Sequence, residues 1–136
     1  MARGLNNNNP GNLRISNEKW DGEIIPSSDP EFKQFQTIAY GYRALLKLLY
    51  NYIAGGHNTI NKIIYRWSPP NENDTEGYIA NVERKTNINR NTVLDNNDQN
   101  ALTKIGAAIS ELENGVLADM DNVNAGWDLF EKKKTT

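Results

Sequence analysis

The 136-residue chain contains no cysteine and a single histidine. Without cysteine there is no disulfide framework and no thiolate-held metal, and one histidine cannot build a multi-histidine zinc site. That residue, His57, stands in Gly55-Gly56-His57-Asn58 and reads as a surface turn rather than as the base of a Ser-His or Cys-His pair. Excess charge of one sign is missing too: 15 Lys and Arg face 17 Asp and Glu, a formal net charge of -2. Such a balance leaves no electrostatic footprint for DNA or RNA, so no nucleic-acid partner is expected. The one basic run, Lys132-Lys133-Lys134, reads as a frayed, solvated tail. No apolar stretch approaches the length of a membrane span, and Met1-Ala2-Arg3-Gly4-Leu5 leads into asparagines rather than the apolar heart of a secretory signal. The expectation is a protein without membrane insertion, reaching any extracellular substrate aboard a particle or through a membrane lesion. With no metal or cofactor expected, chemistry rests on carboxylates, tyrosines, amides and backbone groups.

What is present points to a globular chain, 38% hydrophobic and 24% charged. The length suits one domain over residues 1–136, and neither a repeat nor a linker divides it. Up to about Gln36 the pattern is irregular. Asn6-Asn7-Asn8-Asn9-Pro10-Gly11-Asn12 is turn chemistry, while Leu13 to Ser16, Gly22 to Ile25 and Phe32 to Gln36 predict short strands, with a turn at Asp21-Gly22. From Thr37 the period becomes helical. Ile38, Tyr42, Leu45, Leu46, Leu49, Tyr52 and Ile53 share a stripe that Gly55-Gly56 ends. Asn58 is the expected cap of a second helix carrying Ile60, Ile63, Ile64 and Trp67, stopped by Pro69-Pro70. Asn73 and Glu76 have capping-box spacing ahead of Tyr78, Ile79 and Val82. A fourth helix, capped near Asn97 or Asp98, carries Leu102, Ile105, Ile109 and Leu112 to Asn114-Gly115, and a short tail with Trp127, Leu129 and Phe130 docks on the core. The class is α+β and mainly helical, with a small β or loop region near the N-terminus.

The last long helix ends on a glutamate with unusual surroundings. At about 100° per residue, Leu102, Ile105, Ile109 and Leu112 form one stripe, and Glu113 falls at its edge beside Ile109 and Gly106. Glu111 is expected on the opposite, solvated face. A carboxyl group at the rim of an apolar face loses hydration when ionised, and a glycosidase acid must still carry a proton near neutral pH. A carboxylate at a helix C-terminus also opposes the helix dipole, so by position alone Glu113 reads first as a polar end residue.

The wording around it decides between these. Ala107-Ala108-Ile109-Ser110-Glu111-Leu112-Glu113-Asn114-Gly115 resembles the Glu-Ser-Gly helix end of soluble lytic transglycosylases and goose-type lysozymes, whose glutamate is the catalytic acid/base. Asn114 takes the place of the serine. Asp74-Thr75-Glu76-Gly77-Tyr78-Ile79-Ala80-Asn81-Val82 is similar to the Glu-Thr-x-x-Tyr-Val-x-x-Val helix of those enzymes, whose tyrosine lies at the substrate cleft. Asn8-Asn9-Pro10-Gly11-Asn12-Leu13-Arg14 resembles the Asn/Gly-rich segment that follows the glutamate in related cell-wall hydrolases. The order differs, and moving Asp98 to Gly115 ahead of Asn6 restores it, which implies a circularly permuted lysozyme-like fold. The whole chain also resembles small phage and prophage proteins described as virion structural proteins. The likeness runs through the N-terminal signature, Trp20-Asp21-Gly22, Phe35, Tyr40-Gly41-Tyr42-Arg43-Ala44 and Arg66-Trp67-Ser68-Pro69-Pro70-Asn71-Glu72-Asn73.

These resemblances imply a phage-associated muramidase or lytic transglycosylase acting on the MurNAc-GlcNAc bond of peptidoglycan, with Glu113 as acid/base and Tyr78 orienting the sugar. The amides of Asn8, Asn9 and Asn12 and the guanidinium of Arg14 suit hydroxyl, acetamido and lactyl carboxylate groups. Thr75 belongs to the same binding set. Trp67 and Tyr65 could stack on sugar faces, although Trp67 reads as core as well, and Asn9-Pro10-Gly11 reads equally as a tight turn. Hydrolysis through a second carboxylate would place it about 5–9 Å from Glu113; Asp29 is the favoured choice among Glu18, Glu23, Asp29, Glu31 and Asp74. The competing expectation is a non-catalytic virion component, with other virion proteins as partners, that holds glycan or nothing. The expected location is a phage particle, or host cytoplasm with release to the cell wall.

Overall fold

A computed structural model describes residues 2–71 and 73–134. Glu72 of the Arg66–Asn73 signature lies outside the described residues. In chain order the elements are α1 (Arg3–Asn6), β1 (Glu23–Ile24), β2 (Gln34–Phe35), α2 (Ile38–Ala54), α3 (Ile60–Trp67), α4 (Thr75–Thr86), α5 (Gln99–Asn114) and α6 (Met120–Lys134). The class is therefore α+β and mainly helical. β1 and β2 pair antiparallel, Glu23 opposite Phe35 and Ile24 opposite Gln34. The expected strand at Leu13 to Ser16 contributes only an isolated antiparallel bridge, Arg14 to Phe32.

Side chains fix the helix starts. Thr37, Thr59, Asp74 and Asp98 each accept a hydrogen bond from the backbone N–H three residues on, satisfying a donor the helix cannot. Two expected caps move by one residue. Thr59, extended at φ -136°, replaces Asn58, and Asp74 replaces Asn73, whose amide instead donates to the Pro69 carbonyl. Gly115 ends α5 at φ +73°, and its N–H bonds the Glu111 carbonyl.

Helix α2 is the axis of the molecule. Its Leu45, Leu46 and Leu49 are fully buried among Ile60, Ile63 and Ile64 of α3, Ile79 and Val82 of α4, Leu102, Ile105 and Ile109 of α5, and Val123, Trp127 and Phe130 of α6. A smaller cluster of Leu13, Phe35 and Ala44 joins the N-terminal segment to the other side of α2, and Trp67 packs against both clusters. The expected docking tail is a full helix. It passes so close to α2 at Gly126 that a Cβ there would lie 2.6 Å from Tyr42 Cβ and 2.8 Å from the Arg43 backbone nitrogen. The lysine run continues this helix instead of fraying. Glu111 departs from expectation as well. Its carboxylate accepts from Lys85 Nζ (3.1 Å) and the Ala118 N–H (3.0 Å), tying the end of α5 to α4 and to the following loop.

Candidate functional site

Half-buried Glu113 stands on the last turn of α5, which two side chains hold in place. Within the core, Tyr42 and Ser110 share a hydrogen bond of 2.9 Å that pins α5 to α2. Asn114 donates to the Ser110 carbonyl (2.9 Å) and to the Pro10 carbonyl (2.8 Å), fastening the helix end to the N-terminal segment. Ser110 and Asn114 thus place the carboxylate of the residue between them without touching it.

Both oxygens of Glu113 have named neighbours. Tyr78 of α4 donates its hydroxyl to Oε2 at 3.1 Å, and Asn12 donates its amide to Oε1 at 3.4 Å, the long end of the hydrogen-bonding range. The indole N–H of Trp67 donates to the Tyr78 oxygen at 3.2 Å. An indole can only donate, so the single phenolic proton is directed toward Glu113. Burial, then the charge of Glu113, push the Tyr78 hydroxyl well above the ordinary phenol range. It remains a neutral donor at any working pH. The arrangement is a one-way chain from Trp67 through Tyr78 to a carboxylate whose other oxygen is only loosely held.

This carboxylate opens into a cleft of about 410 Å³ lined by Gly11, Asn12, Leu13, Arg14, Phe32, Leu48, Tyr52, Trp67, Ser68, Pro69, Asn73 and Glu113. Glu113 is the one carboxylate, and Arg14 the one cation, among the described residues of that lining. Aromatic and aliphatic side chains (Tyr52, Trp67, Leu48, Pro69) form one part of the wall, and the Asn12-Arg14 segment another. The exposed lining is more polar than apolar, and such a mixture of aromatic side chains and hydrogen-bonding groups can contact a carbohydrate chain. Among the described residues no group of His, Asp and Glu is arranged to hold a metal ion.

The chain is 43% identical over 118 residues to Protein P5 of Pseudoalteromonas phage PM2, an alignment covering 84% of this chain and 72% of that protein. It belongs to the family of that phage protein. No family model matches the chain.

Of the residues singled out in the sequence, the fold brings Glu113, Trp67, Asn12 and Arg14 to the lining of one cleft, and Tyr78, outside that lining, is bonded to Glu113 and Trp67. Others are turned to structural tasks. Asn9 is fully buried: its amide donates to the Leu13 and Lys33 carbonyls and its oxygen accepts the Leu13 N–H, so nothing remains for a ligand. Asn8 sits at φ +52° and donates to the Phe35 and Gln36 carbonyls, fixing the β2 end. Thr75 is buried and donates to the Ser68 carbonyl. Tyr65 donates to Glu76 (2.8 Å), away from the cleft lining. Asp29 is not in the lining either. It accepts Arg3 Nε (2.6 Å) and Nη2 (2.7 Å), the Asn7 amide and two backbone N–H groups, and the Arg3 guanidinium first of all holds it well below the ordinary carboxylate range. A carboxylate so thoroughly occupied is an anchor for the N-terminal segment. Sequence reasoning missed Tyr52, Leu48, Pro69 and Phe32. Tyr52 lies on the core stripe of α2, where Tyr42 is equally aromatic, so nothing local set it apart.

Proposed function

We propose that this chain is a phage-associated enzyme cleaving the glycan backbone of peptidoglycan at the MurNAc-GlcNAc bond, with Glu113 as its acid/base. The observation that carries the reading is the Trp67-Tyr78-Glu113 chain of hydrogen bonds, which ends on the one carboxylate among the described lining residues of the cleft. Glu113 donates its proton to the bridging oxygen as the glycosidic bond breaks, and the leaving sugar departs as a free alcohol. The carboxylate then takes a proton from water, giving hydrolysis, or from the substrate's own 6-hydroxyl, giving an anhydro sugar. Tyr78 holds the glutamate in position throughout, and the aromatic wall supports the sugar rings. General acid catalysis of this kind is typically worth ~10²–10⁴-fold. With Glu113 as the one essential carboxylate, the substrate's own acetamido group would stabilise the cationic centre.

A lysozyme-like domain in permuted order is part of this reading. Its support is that the segments the permutation would join in sequence already touch, through Asn114 to Pro10 and Asn12 to Glu113. The second reading is a non-catalytic virion component, with other virion proteins as partners. Kinship to a phage protein favours it. Among the described residues no helix is long and apolar enough to cross a membrane, and neither reading requires one.

Digestion of purified peptidoglycan by wild type and Glu113→Gln, with soluble products resolved by mass, separates the readings. Fragments from wild type alone support the enzyme, and products lighter by one water identify the transglycosylase. A folded wild type that co-sediments with peptidoglycan and releases nothing selects the virion component.

A further inference from the structure

We infer that Arg14 is a charge-reading residue of the cleft, selecting glycan strands that carry carboxylates on their sugars over neutral N-acetylglucosamine polymers. The inference rests on the glycan-binding reading of the Glu113 cleft. Arg14 is the one cation among the described lining residues, and its side chain is 72% exposed. Among the described residues its one ion-pair partner is Glu31 at 3.5 Å, itself 55% exposed. A contact that long and that wet is weak and easily exchanged. Glu31 does not depend on it, because Arg3 also reaches Glu31, at 3.4 Å.

The guanidinium is nevertheless not loose. Arg14 and Phe32 are partners in the isolated bridge, and the guanidinium lies 5.0 Å from the Phe32 ring centroid, with Arg3 at 4.7 Å from the same ring. Phe32 is held from below: its N–H bonds the Asp29 carboxylate and its carbonyl accepts from Ser27. The ring therefore acts as a platform that limits the freedom of the Arg14 side chain at the cleft it lines. A planar fork with a replaceable partner, at the rim of a sugar cleft, matches a carboxylate bidentately. Lactyl and stem-peptide carboxylates are the groups that distinguish a muramoyl strand from chitin.

Binding tests this without requiring turnover. Titration calorimetry on Glu113→Gln protein compares a muramic-acid-containing tetrasaccharide with a chitin tetrasaccharide, and repeats both with Arg14→Gln and Arg14→Lys added. The expected result is about tenfold tighter binding of the muramoyl ligand, lost in Arg14→Gln, partly kept in Arg14→Lys, and no change for chitin. Equal affinity for the two ligands, equal losses for both in Arg14→Gln, or no binding of either overturns the inference. Charge-selective binding by a wild type that releases no fragments would sink the catalytic reading alone.

Discussion

Replacing Tyr78 by phenylalanine removes one oxygen and breaks two hydrogen bonds, one accepted from Trp67 and one donated to Glu113. The ring itself, packed against the main cluster, keeps its place. The indole N–H of Trp67 then loses its acceptor. A fully buried stranded donor costs roughly 1–3 kcal/mol, and water can reach part of this half-buried site, so about 1 kcal/mol is expected. Losing the charge-assisted bond to Glu113 adds about as much again. A total of about 2 kcal/mol, at ~2.1 cal/mol/K of unfolding entropy per residue, lowers Tm by roughly 7 °C in a chain of 136 residues. Glu113 also becomes free to rotate away from the cleft. If that bond contributes about 1–2 kcal/mol to orienting the acid, kcat on peptidoglycan falls roughly 5- to 30-fold, with little change in KM. Trp67→Phe should also remove the bond to Tyr78, with a further stability cost from the smaller ring, because Trp67 packs against both core clusters. Scanning calorimetry and initial rates of fragment release measure the two halves. A Tyr78→Phe protein within 2 °C and twofold of wild type would falsify the proposed hydrogen-bond chain.

Three further outcomes follow from other parts of the molecule. Gly4→Ala should lower both stability and fragment release, since its Cβ would stand 2.6 Å from the side-chain oxygens of Asn12 and Asn114 and 2.7 Å from the Asn9 carbonyl; a melting curve and rates equal to wild type would show that the segment yields without cost. Lys33 and Glu23, with side chains 2% and 7% exposed, pair at 3.0 Å, so Lys33→Met alone should cost about 3–5 kcal/mol in denaturant titration while Lys33→Met with Glu23→Leu costs less; a double variant no better than the single one contradicts this. Glu76 is drawn down from 4.5 to about 2, chiefly by Arg90 and then by Tyr65. Because its folded value is depressed, its stabilising contribution is present above about pH 4.5 and disappears as pH falls toward 2. The Tm-pH curve of Glu76→Gln should be flatter than that of wild type over this window, and parallel curves would refute the linkage.

The helices α2 to α5 were legible because their apolar residues keep a strict helical period and are bracketed by hydroxyl, carboxylate and glycine residues. Helix α6 was not. Asn122, Asn124 and Gly126 depress its helical propensity, and the glycine is present for the close crossing with α2, a tertiary cause invisible in a local window. In the asparagine-rich segment the turn chemistry was readable, whereas the destination of each amide was not. A run of similar side chains divides between the interior (Asn9), the β2 end (Asn8) and the cleft (Asn12) by backbone direction alone. The adjacency of Tyr78 and Glu113 could be anticipated from their motifs. The engagement of Asp29 by Arg3 could not, because nothing in sequence links residues 26 positions apart.

The bonds from Asn12 to Glu113 and from Asn114 to Pro10 span 101 and 104 positions of the chain. Closing a loop of that size is slow and is rewarded only when both ends are already shaped. During synthesis the first cleft wall would emerge long before the residues that complete it, and the site would come into being in a single late event. Any opening that parts the N-terminal segment from α5 would dismantle it equally abruptly.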